Sequence, residues 1–311
     1  MIHVVCPNPA LDRTIFLNEF KPNNVNRSNL SIDLLGGKGF NVIRSFLIQD
    51  QPSFVVHSFL GGYTGDYLRT LISRNGIKNI TTQIKGTSRI CSIIVDEKLN
   101  QAHVINEGGP SIQEEEKQEF TDNLLNKVKP DDFVIFSGSL PQGLEEDFYY
   151  SLISQLQHVG AKCILDSSGN YLDEGVKANP WLVKVNEQEF FELIGKSEDA
   201  IINSNLADEL KNIELSSHVV VTLGSEGCIA KLDNTLYQVS LPKIKAKNPT
   251  ASGDIFLGAL IKAIANGESP VKALRMASTY SLSNCLYWYP NIAISDVESY
   301  KNHIKIFTIG G

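Results

Sequence analysis

The clearest indication of the fold is the segment Phe133-Val134-Ile135-Phe136-Ser137-Gly138-Ser139. Four apolar residues in a row are followed at once by small and polar ones, which is typical of a buried strand that ends at a sheet edge. The segment 145–158 comes next, and its apolar residues recur at helical spacing. A strand, a polar end and a helix in this order indicate one unit of an α/β sheet.

The same unit recurs further along the chain. Its other apolar runs, each given with the polar residue that follows, are 163–165 before Asp166, 181–185 before Asn186 and 219–221 before Thr222. Apolar strands that alternate with amphipathic helices predict a mostly parallel sheet covered on both faces. Because ligands bind beyond the carboxyl ends of such strands, the edge shared by these polar ends is the predicted active site.

The first third of the chain has a different pattern. Its strand-like segments are 12–17, 89–95 and 103–105. They flank a helix-like segment at 39–47 and a glycine-rich turn at 61–66 that opens another helix.

Strands supplied by two separated segments predict a second, smaller sheet that covers the first as a lid. These lid segments are about 11–33 and 87–107, within a single domain that spans 1–311. The acidic run 114–116 is interpreted as the solvated start of a helix, where the helix dipole favours negative charge.

Composition excludes several classes of protein. The 311 residues are 42% hydrophobic and 20% charged, which is ordinary for a soluble enzyme. The net charge of −7 argues against a nucleic-acid or membrane partner, since both require a basic face. No apolar run approaches the roughly 20 residues of a membrane-spanning helix, and the N-terminus lacks the basic region of a signal peptide.

The cysteines indicate a reducing compartment. Five are scattered without a CxxC pair: Cys6, Cys91, Cys163, Cys228 and Cys285. An odd number without a pairing pattern predicts free, mostly buried thiols. We therefore expect a cytoplasmic protein.

The stretch 248–254 carries the first indication of chemistry: Asn248-Pro249-Thr250-Ala251-Ser252-Gly253-Asp254, followed by an apolar helix. A helix N-terminus binds anions, because its first N–H groups lack intrahelical partners and its dipole is positive there. An aspartate is not needed to hold an anion, so Asp254 is predicted to be a base that deprotonates a nucleophile attacking that anion. Phosphoryl transfer is the first hypothesis, although an isolated Asp here is better explained as a helix-start residue.

A second glycine-rich element lies at 36–42. Gly37 and Gly39 flank Lys38 and let the backbone approach a ligand, with the Asn41 amide close by. The element is neither a Walker A motif nor a GxGxxG fingerprint, and alone it is better explained as a turn. The absence of GxGxxG disfavours a nicotinamide-dependent oxidoreductase.

Taken in order, the motifs resemble one family. They are Asn8-Pro9-Ala10-Leu11-Asp12, Val25-Asn26-Arg27, Gly36 to Val42, Leu60-Gly61-Gly62-x-Thr64-Gly65, Ser88-Arg89, Gly109-Pro110, Ser137-Gly138-Ser139-Leu140-Pro141-x-Gly143, Asn186-x-x-Glu189, Leu223-Gly224-x-x-Gly227 and the 248–254 stretch. The set resembles the ribokinase/pfkB carbohydrate kinases, in the branch of 1-phosphofructokinase and tagatose-6-phosphate kinase. The resemblance implies a ribokinase-like three-layer α/β/α fold with a mostly parallel central sheet and a small β-sheet lid.

The resemblance also implies roles for individual residues. Asp254 is the expected catalytic base, and Ala251, Ser252 and Gly253 form the expected anion hole. Asp12 and Asn41 are expected to hold sugar hydroxyls. The phosphate already on the substrate is expected to lie against Gly37, Lys38, Arg89 and Ser139, with Arg27 reaching in from the lid of the same or a neighbouring subunit.

The cofactors implied are ATP and Mg²⁺. The nucleotide is expected to lie along Lys184, Asn186, Thr222, Gly224 and Gly227. Glu189, with Asn186, is expected to position Mg²⁺ through water, since this ion usually keeps several waters. The resemblance further implies a homodimer formed through the lid strands.

Simpler interpretations remain open for several of these residues. Lys38 and Arg89 are also explained as surface ions, Asp12 as a turn cap and Glu189 as a helix-start acid. Arg27 is explained equally well as a residue of the site and as a surface residue.

Three positions depart from the family pattern. Ala251 stands where the family has a glycine, Cys91 where this branch often has an asparagine, and Val185 where a proline is usual. If the backbone at position 251 requires positive φ, an alanine there costs ~1–2 kcal/mol. Two functions therefore remain: a kinase that converts fructose 1-phosphate or tagatose 6-phosphate to a bisphosphate, or a catalytically impaired sugar-phosphate or nucleotide sensor.

Overall fold

The computed structural model describes residues 1–196, 206–213 and 215–309. In chain order its strands are β1 Ile2–Cys6, β2 Ala10–Leu17, β3 Leu30–Gly36, β4 Phe54–Leu60, β5 Asn79–Gln83, β6 Arg89–Asp96, β7 Gln101–Asn106, β8 Phe133–Ser137, β9 Lys162–Asp166, β10 Leu182–Asn186, β11 His218–Thr222, β12 Cys228–Leu232, β13 Thr235–Ser240 and β14 Lys305–Ile309. Its helices are α1 Lys38–Arg44, α2 Gly62–Arg74, α3 Glu114–Leu125, α4 Phe148–His158, α5 Asn170–Gly175, α6 Glu187–Leu193, α7 Leu206–Asn212, α8 Ser252–Ala265, α9 Pro270–Cys285 and α10 Ile294–Tyr300.

Ten strands form the main sheet, in the order β14-β13-β12-β11-β10-β9-β8-β1-β4-β5. The strands from β11 to β5 are parallel, and β12, β13 and β14 add an antiparallel edge. The mostly parallel sheet is confirmed. The sequence pattern missed β1, β4 and β5, and it missed the antiparallel edge as well.

The main sheet is buried on both faces. Neighbouring residues of β1 show this, because Val4 packs into a core cluster with α1, α8 and α9, whereas Val5 packs into a second cluster with α3, α4 and α6. Successive strand residues point to opposite faces, so each apolar strand supplies both cores. The predicted three-layer α/β/α arrangement is confirmed.

The second sheet has four strands in the order β3-β2-β6-β7. It is built from the two predicted segments, and its register places Asp12 beside Cys91 and Ala10 beside Arg89. The small β-sheet of the predicted fold is therefore present, while the division of the chain into domains stays a prediction.

Some local expectations were wrong. Helix α4 begins at Phe148 and not at 145, and α1 ends at Arg44 and not at 47. Glu114 does begin a helix, but Glu116 is buried and not solvated. Its carboxylate accepts hydrogen bonds from the backbone N–H groups of Lys85 at 2.7 Å and Gln113 at 2.8 Å. It thus completes a capping box and ties α3 to the segment before β6.

All five cysteines are free, and four of them are buried, as predicted; Cys285 is half-buried. Within the described ranges, no helix combines the length and the hydropathy that a membrane span requires.

Candidate active site

The polar ends of the parallel strands meet at one edge of the main sheet, which we call the carboxyl edge. The strand register pairs Ser137 with Asp166 and Asn186 with Thr222. Strand β10 lies between β9 and β11 and carries Lys184 close to this edge. The predicted gathering of polar residues is therefore present.

Helix α8 begins at Ser252, and its N-cap is Ala251. Ala251 has φ 67° and ψ −4°, which is the left-handed region. The condition for strain is thus met, and an alanine in this conformation costs ~1–2 kcal/mol relative to ordinary helical backbone. Among the residues that the structure describes, no side chain caps the N-terminus of α8. The Ser252 N–H donates to the carbonyl of Pro249 at 3.1 Å, so this amide is engaged within the loop.

Asp254 lies in the first turn of α8 and is buried. Its Oδ2 accepts a hydrogen bond from Nδ2 of Asn41 at 3.0 Å. Burial raises the pKa of Asp254 to about 6; Lys38 opposes the rise and Asp166 adds to it. A carboxylate with this pKa is ionised at neutral pH, and because its pKa is close to 7 it accepts a proton more readily than an ordinary carboxylate does.

Arg44 sets the orientation of the Asn41 amide. Its Nε donates to Oδ1 of Asn41 at 3.2 Å, and its Nη2 donates to the Leu35 carbonyl. A guanidinium has no acceptor, so the amide oxygen must face Arg44 and the amide NH₂ must face Asp254. The sequence motif singled out Asn41 but not Arg44, although the i, i+3 spacing on α1 puts the two on one face.

Asp166 is a buried carboxylate at the centre of the site, and it had no predicted role. Its Oδ1 accepts hydrogen bonds from Nζ of Lys38 and Nζ of Lys184, both at 3.2 Å. Its Oδ2 has no hydrogen-bond partner in the described part of the chain. Burial would raise the pKa of Asp166, but Lys184 and Lys38 outweigh it and lower the pKa.

The two lysines are therefore held by an internal anion. Burial alone would lower the pKa of Lys38, but the carboxylates of Asp166, Asp254 and Glu189 raise it above its ordinary value. Lys184 also reaches the start of α8, since a Cβ built on Gly253 would lie 2.9 Å from its Nζ. Lys184 thus links the predicted nucleotide groove to the predicted anion hole.

Three of the residues expected around the substrate phosphate, Lys38, Arg89 and Ser139, line one cavity of about 230 Å³. The other lining residues are Cys6, Asn8, Asn106, Ser137, Gly138 and Ser168. The Oδ1 atom of Asn8 is buried without a hydrogen-bond partner among the described residues. The cavity therefore combines two cations with polar groups of small side chains.

Two expected phosphate ligands differ in their placement. Arg89 donates to the Asn8 carbonyl at 2.9 Å and to the Glu107 carbonyl at 3.0 Å, which holds its guanidinium at the cavity wall. Arg27 is exposed in the 18–29 connection of the lid and is not among the residues that line the cavity. Its expected role stays a prediction.

Asp12 and the glycine-rich element fit closely together. A Cβ at Gly36 would lie 2.0 Å from Oδ1 of Asp12, so only glycine leaves room for this carboxylate. Gly37 follows with φ 89° and caps α1. Burial raises the pKa of Asp12 to about 6, against the opposing charges of Arg44 and Arg89. Cys91, its neighbour in the sheet, is a buried strand residue.

Asn186 and Glu189 cap the start of α6 together. The Glu189 N–H donates to Oδ1 of Asn186 at 2.8 Å, and the Asn186 N–H donates to Oε2 of Glu189 at 2.8 Å. Within the described residues, no group of three or more His, Cys, Asp or Glu residues could ligate a metal ion directly. Oε2 of Glu189 belongs to the capping box, so Oε1 is the oxygen that would hold a water of Mg²⁺, an ion that usually keeps several waters.

The remaining nucleotide-groove residues follow β11. Thr222 ends the strand beside Asn186, and its hydroxyl donates to the Val185 carbonyl at 3.3 Å. Gly224 is exposed and opens a short 3₁₀ turn, which Gly227 closes with φ 106°. These positions share the carboxyl edge, and their contact with a nucleotide stays a prediction.

A model of the family described as pfkB family carbohydrate kinase matches residues 8–287. The chain belongs to the pfkB family. This kinase is 32% identical over 297 residues to the tagatose-6-phosphate kinase of Staphylococcus epidermidis, with 92% of each chain covered. The predicted family and branch are confirmed, and the chain is a carbohydrate kinase, a phosphotransferase for which membership in the family implies the use of ATP.

Two solved structures share the fold of this kinase. Phosphofructokinase-2 from Escherichia coli, solved with substrates and products, matches with a TM-score of 0.89 at 24% identity, over 97% of this chain and 98% of that one. A possible 1-phosphofructokinase from Thermotoga maritima matches with a TM-score of 0.85 at 22% identity, over 100% of both chains. At these identities the likeness demonstrates the fold alone.

Proposed function

We propose that this kinase transfers the γ-phosphoryl group of ATP to a ketohexose monophosphate and forms a bisphosphate. The observation that carries the proposal is the cavity shared by Lys38, Arg89 and Ser139. A free sugar offers no charge to a lysine and an arginine, whereas a phosphate uses both. The two candidate reactions are fructose 1-phosphate to fructose 1,6-bisphosphate and tagatose 6-phosphate to tagatose 1,6-bisphosphate.

Asp254 is proposed as the base. The substrate hydroxyl gives its proton to this carboxylate while its oxygen bonds to the γ-phosphorus, and the bond from that phosphorus to the departing ADP oxygen breaks. The hydrogen bond from Asn41 holds the carboxylate in place and stabilises its ionised form. Asp12, which neighbours Asp254 electrostatically, is proposed to bind the sugar hydroxyls with Asn41.

The start of α8 and Lys184 are proposed to stabilise the charge on the transferred group. The helix N-terminus offers N–H groups and a positive dipole end, and Lys184 brings an ammonium group to the same place. Bound Mg²⁺ would neutralise the phosphates of the nucleotide, with Asn186 and Glu189 holding its waters. Thr222, Gly224 and Gly227 are proposed to line the nucleotide groove.

A panel of acceptors tests the proposal. Purified protein is assayed with ATP and Mg²⁺ on fructose 1-phosphate, tagatose 6-phosphate, fructose 6-phosphate, free fructose, free tagatose and ribose. We expect a phosphorylated ketohexose to have the highest kcat/KM. Faster turnover of any free sugar would contradict the proposal. The matched variant Arg89→Met should raise KM for the phosphorylated substrate and leave the weak use of free sugars unchanged.

The same panel separates the two substrates. The sequence motifs favoured fructose 1-phosphate, with tagatose 6-phosphate second. The relative that is 32% identical is named for tagatose 6-phosphate, and this supports the second candidate. The ratio of the two kcat/KM values decides between them.

The strained backbone at Ala251 favours one alternative, a sensor that binds the ligands but has lost turnover. The variant Ala251→Gly tests it, because glycine adopts positive φ without strain. A gain in kcat of tenfold or more would identify an impaired anion hole in the natural protein. An unchanged kcat would indicate an enzyme adapted to alanine.

We also propose that two copies pair through their lids. The lid carries exposed apolar side chains at Val25, Leu30, Leu99, Val104 and Ile105. Leu30 and Val104 lie on the sheet face that carries Asp12, as the strand register requires. A second lid packed on this face would bury them.

A further inference from the structure

The loop before α8 is clamped to the C-terminal end of α9. The Lys247 N–H donates to the Cys285 carbonyl at 2.7 Å, and Nδ2 of Asn248 donates to the Trp288 carbonyl at 2.9 Å. Oδ1 of Asn248 in turn accepts from the Thr250 N–H at 3.0 Å. The conformation of the loop therefore depends on a helix that contributes nothing to the site described above.

One side chain of α9 makes the central contacts. Asn284 is 1% exposed, and its Nδ2 donates to the Thr250 carbonyl and to the Ser252 hydroxyl, both at 2.8 Å. Its Oδ1 accepts from the Asn291 N–H at 3.1 Å. A backbone N–H only donates and a backbone carbonyl only accepts, so the amide has one orientation.

These bonds bracket Ala251. Thr250 and Ser252 are the residues immediately before and after it, and the Nδ2 group of Asn284 binds both. Ala251 is the residue with φ 67°, a conformation that an alanine leaves when nothing holds it. The bond to the Thr250 carbonyl fixes the peptide plane before Ala251, and the bond to the Ser252 hydroxyl anchors the side chain of the residue after it. The Ser252 hydroxyl also contacts Sγ of Cys285 at 3.1 Å, which strengthens the same anchor.

We propose that Asn284 is a positioning residue that holds Ala251 in the left-handed conformation and so keeps the N-terminus of α8 aimed at the transferred phosphoryl group. The catalytic half of this inference rests on the proposed function, whereas the conformational half does not. Asn284 touches no reacting atom; it acts through the Thr250 carbonyl and the Ser252 hydroxyl.

The first test replaces the amide by a group of similar size that makes no hydrogen bond. In Asn284→Leu, we expect kcat to fall about 10- to 100-fold, less than the 10²–10³-fold cost of a whole oxyanion donor. KM for the sugar should be unchanged, because the substrate cavity lies on other elements. A crystal structure of the variant should show residue 251 outside the left-handed region. Residue 251 still near φ 67° would overturn the inference.

The second test uses glycine at position 251. Because glycine adopts the left-handed conformation without strain, Ala251→Gly needs no anchor. In that background, Asn284→Leu should lower kcat only about threefold or less, which a double-mutant cycle reports as coupling. Equal losses in the two backgrounds would overturn the inference, since a general structural role of Asn284 predicts no rescue.

Two further variants serve as a replacement for Asn284→Leu and as a control. Asn284→Asp has the same shape but, once ionised, cannot donate to the Thr250 carbonyl, and it serves if Asn284→Leu does not fold. The matched control is Ser283→Ala on the same helix. Ser283 is also buried, but it bonds to Asp296 and to the Ala293 N–H and not to the loop. It should lose stability and keep its kcat.

Failure of the proposed function is recognised separately. If the natural protein phosphorylates nothing in the acceptor panel, the proposed substrate class is wrong. The conformation of residue 251 in the Asn284→Leu crystal structure still decides whether Asn284 holds it.

Discussion

Asp254 is placed where burial works against its charge, and this has a consequence for the pH dependence of the enzyme. Its pKa is raised to about 6, mainly by burial. The proposed base acts when it is ionised, so we expect kcat to rise with pH through about 6 and to fall by about tenfold per pH unit below it. The measurement is kcat from pH 5 to pH 8 at saturating substrates.

Asn41→Leu is the companion variant for this profile. It removes the hydrogen bond that stabilises the ionised carboxylate, so the rise in kcat should move to higher pH. A flat profile between pH 5 and pH 8 in the natural protein would contradict the assignment of Asp254 as the base.

The same burial also affects stability. A carboxyl group whose folded pKa of about 6 exceeds its unfolded value of 3.8 binds more protons in the folded state, so stability falls as pH rises between these values. Asp254→Asn removes this cost. At pH 7.5 the free energy of unfolding of this variant, measured with urea, should be about 1–3 kcal/mol higher than that of the natural protein. Its kcat should be at least about 100-fold lower.

Asp166→Asn is the opposite control, because the pKa of Asp166 is lowered by its two lysines. Its loss leaves Lys38 and Lys184 without their shared partner, so this variant should be destabilised at pH 7.5. Lower stability of Asp254→Asn at that pH would be inconsistent with the raised pKa.

Sequence motifs located the residues whose chemistry is local and missed those that act through distant partners. Asp254, Lys38 and Asn41 stand in short glycine-rich motifs at helix starts, and their expected roles come from the ordered set of motifs to which these belong. Asp166 and Asn284 owe their importance to contacts with residues far along the chain. Nothing in the sequence near them indicates which groups they meet.

Among the secondary-structure elements, the start of α8 is a place where one substitution should change kcat and stability in opposite directions. A Cβ at Gly253 would lie 2.9 Å from Nζ of Lys184, the mobile end of a flexible side chain. Gly253→Ala should therefore fold, with the helix gaining up to about 1 kcal/mol in propensity. It should lose kcat, because the ammonium group is pushed from the anion hole. Melting temperature and kcat are measured together.

Gly258→Ala, one turn further along α8, is the contrasting variant. Its Cβ would lie 2.1 Å from the Val42 carbonyl oxygen and 2.3 Å from Oγ of Ser45, both on or next to α1. The backbone of α1 cannot move aside as the end of the Lys184 side chain can. We therefore expect Gly258→Ala to be destabilised by about 1–3 kcal/mol. If Gly253→Ala is the less stable of the two, the argument from space fails.

The elements missed by the sequence pattern have a physical explanation. Strands β1 and β4 are buried, yet each contains a histidine that interrupts its apolar run. The two rings lie against each other, with Nδ1 of His3 3.0 Å from Nε2 of His57. Because each ring contacts the other, two polar residues can be buried in the core. The sequence of either strand alone does not indicate this contact. Of the four later strands that were recognised, β8, β9 and β11 have uninterrupted apolar runs, whereas β10 was recognised although Lys184 stands within it.

At the scale of the whole molecule, the proposed pairing of lids predicts a dimer. Leu30 is 53% exposed and Val104 is 45% exposed in the single chain. The double variant Leu30→Asp/Val104→Asp should be monomeric by sedimentation, because two carboxylates would be buried in the interface. Its fold should be retained, since both positions are exposed in the monomer.

The matched control is Phe307→Asp, which changes a 52% exposed apolar residue on the edge strand β14 of the main sheet. It should remain a dimer. A natural protein that sediments as a monomer at assay concentrations would contradict the proposed pairing.

Asp166 gives the site a resident counter-ion, and this affects which anions can enter. Both lysines are already engaged by its carboxylate before any substrate arrives. An incoming phosphate would compete for these ammonium groups with a carboxylate that is covalently fixed in place and loses no translational freedom by staying. Inorganic phosphate brings only its charge to that exchange, whereas a sugar phosphate or a nucleotide brings further contacts. We therefore expect the pocket to bind a sugar phosphate or a nucleotide in preference to inorganic phosphate.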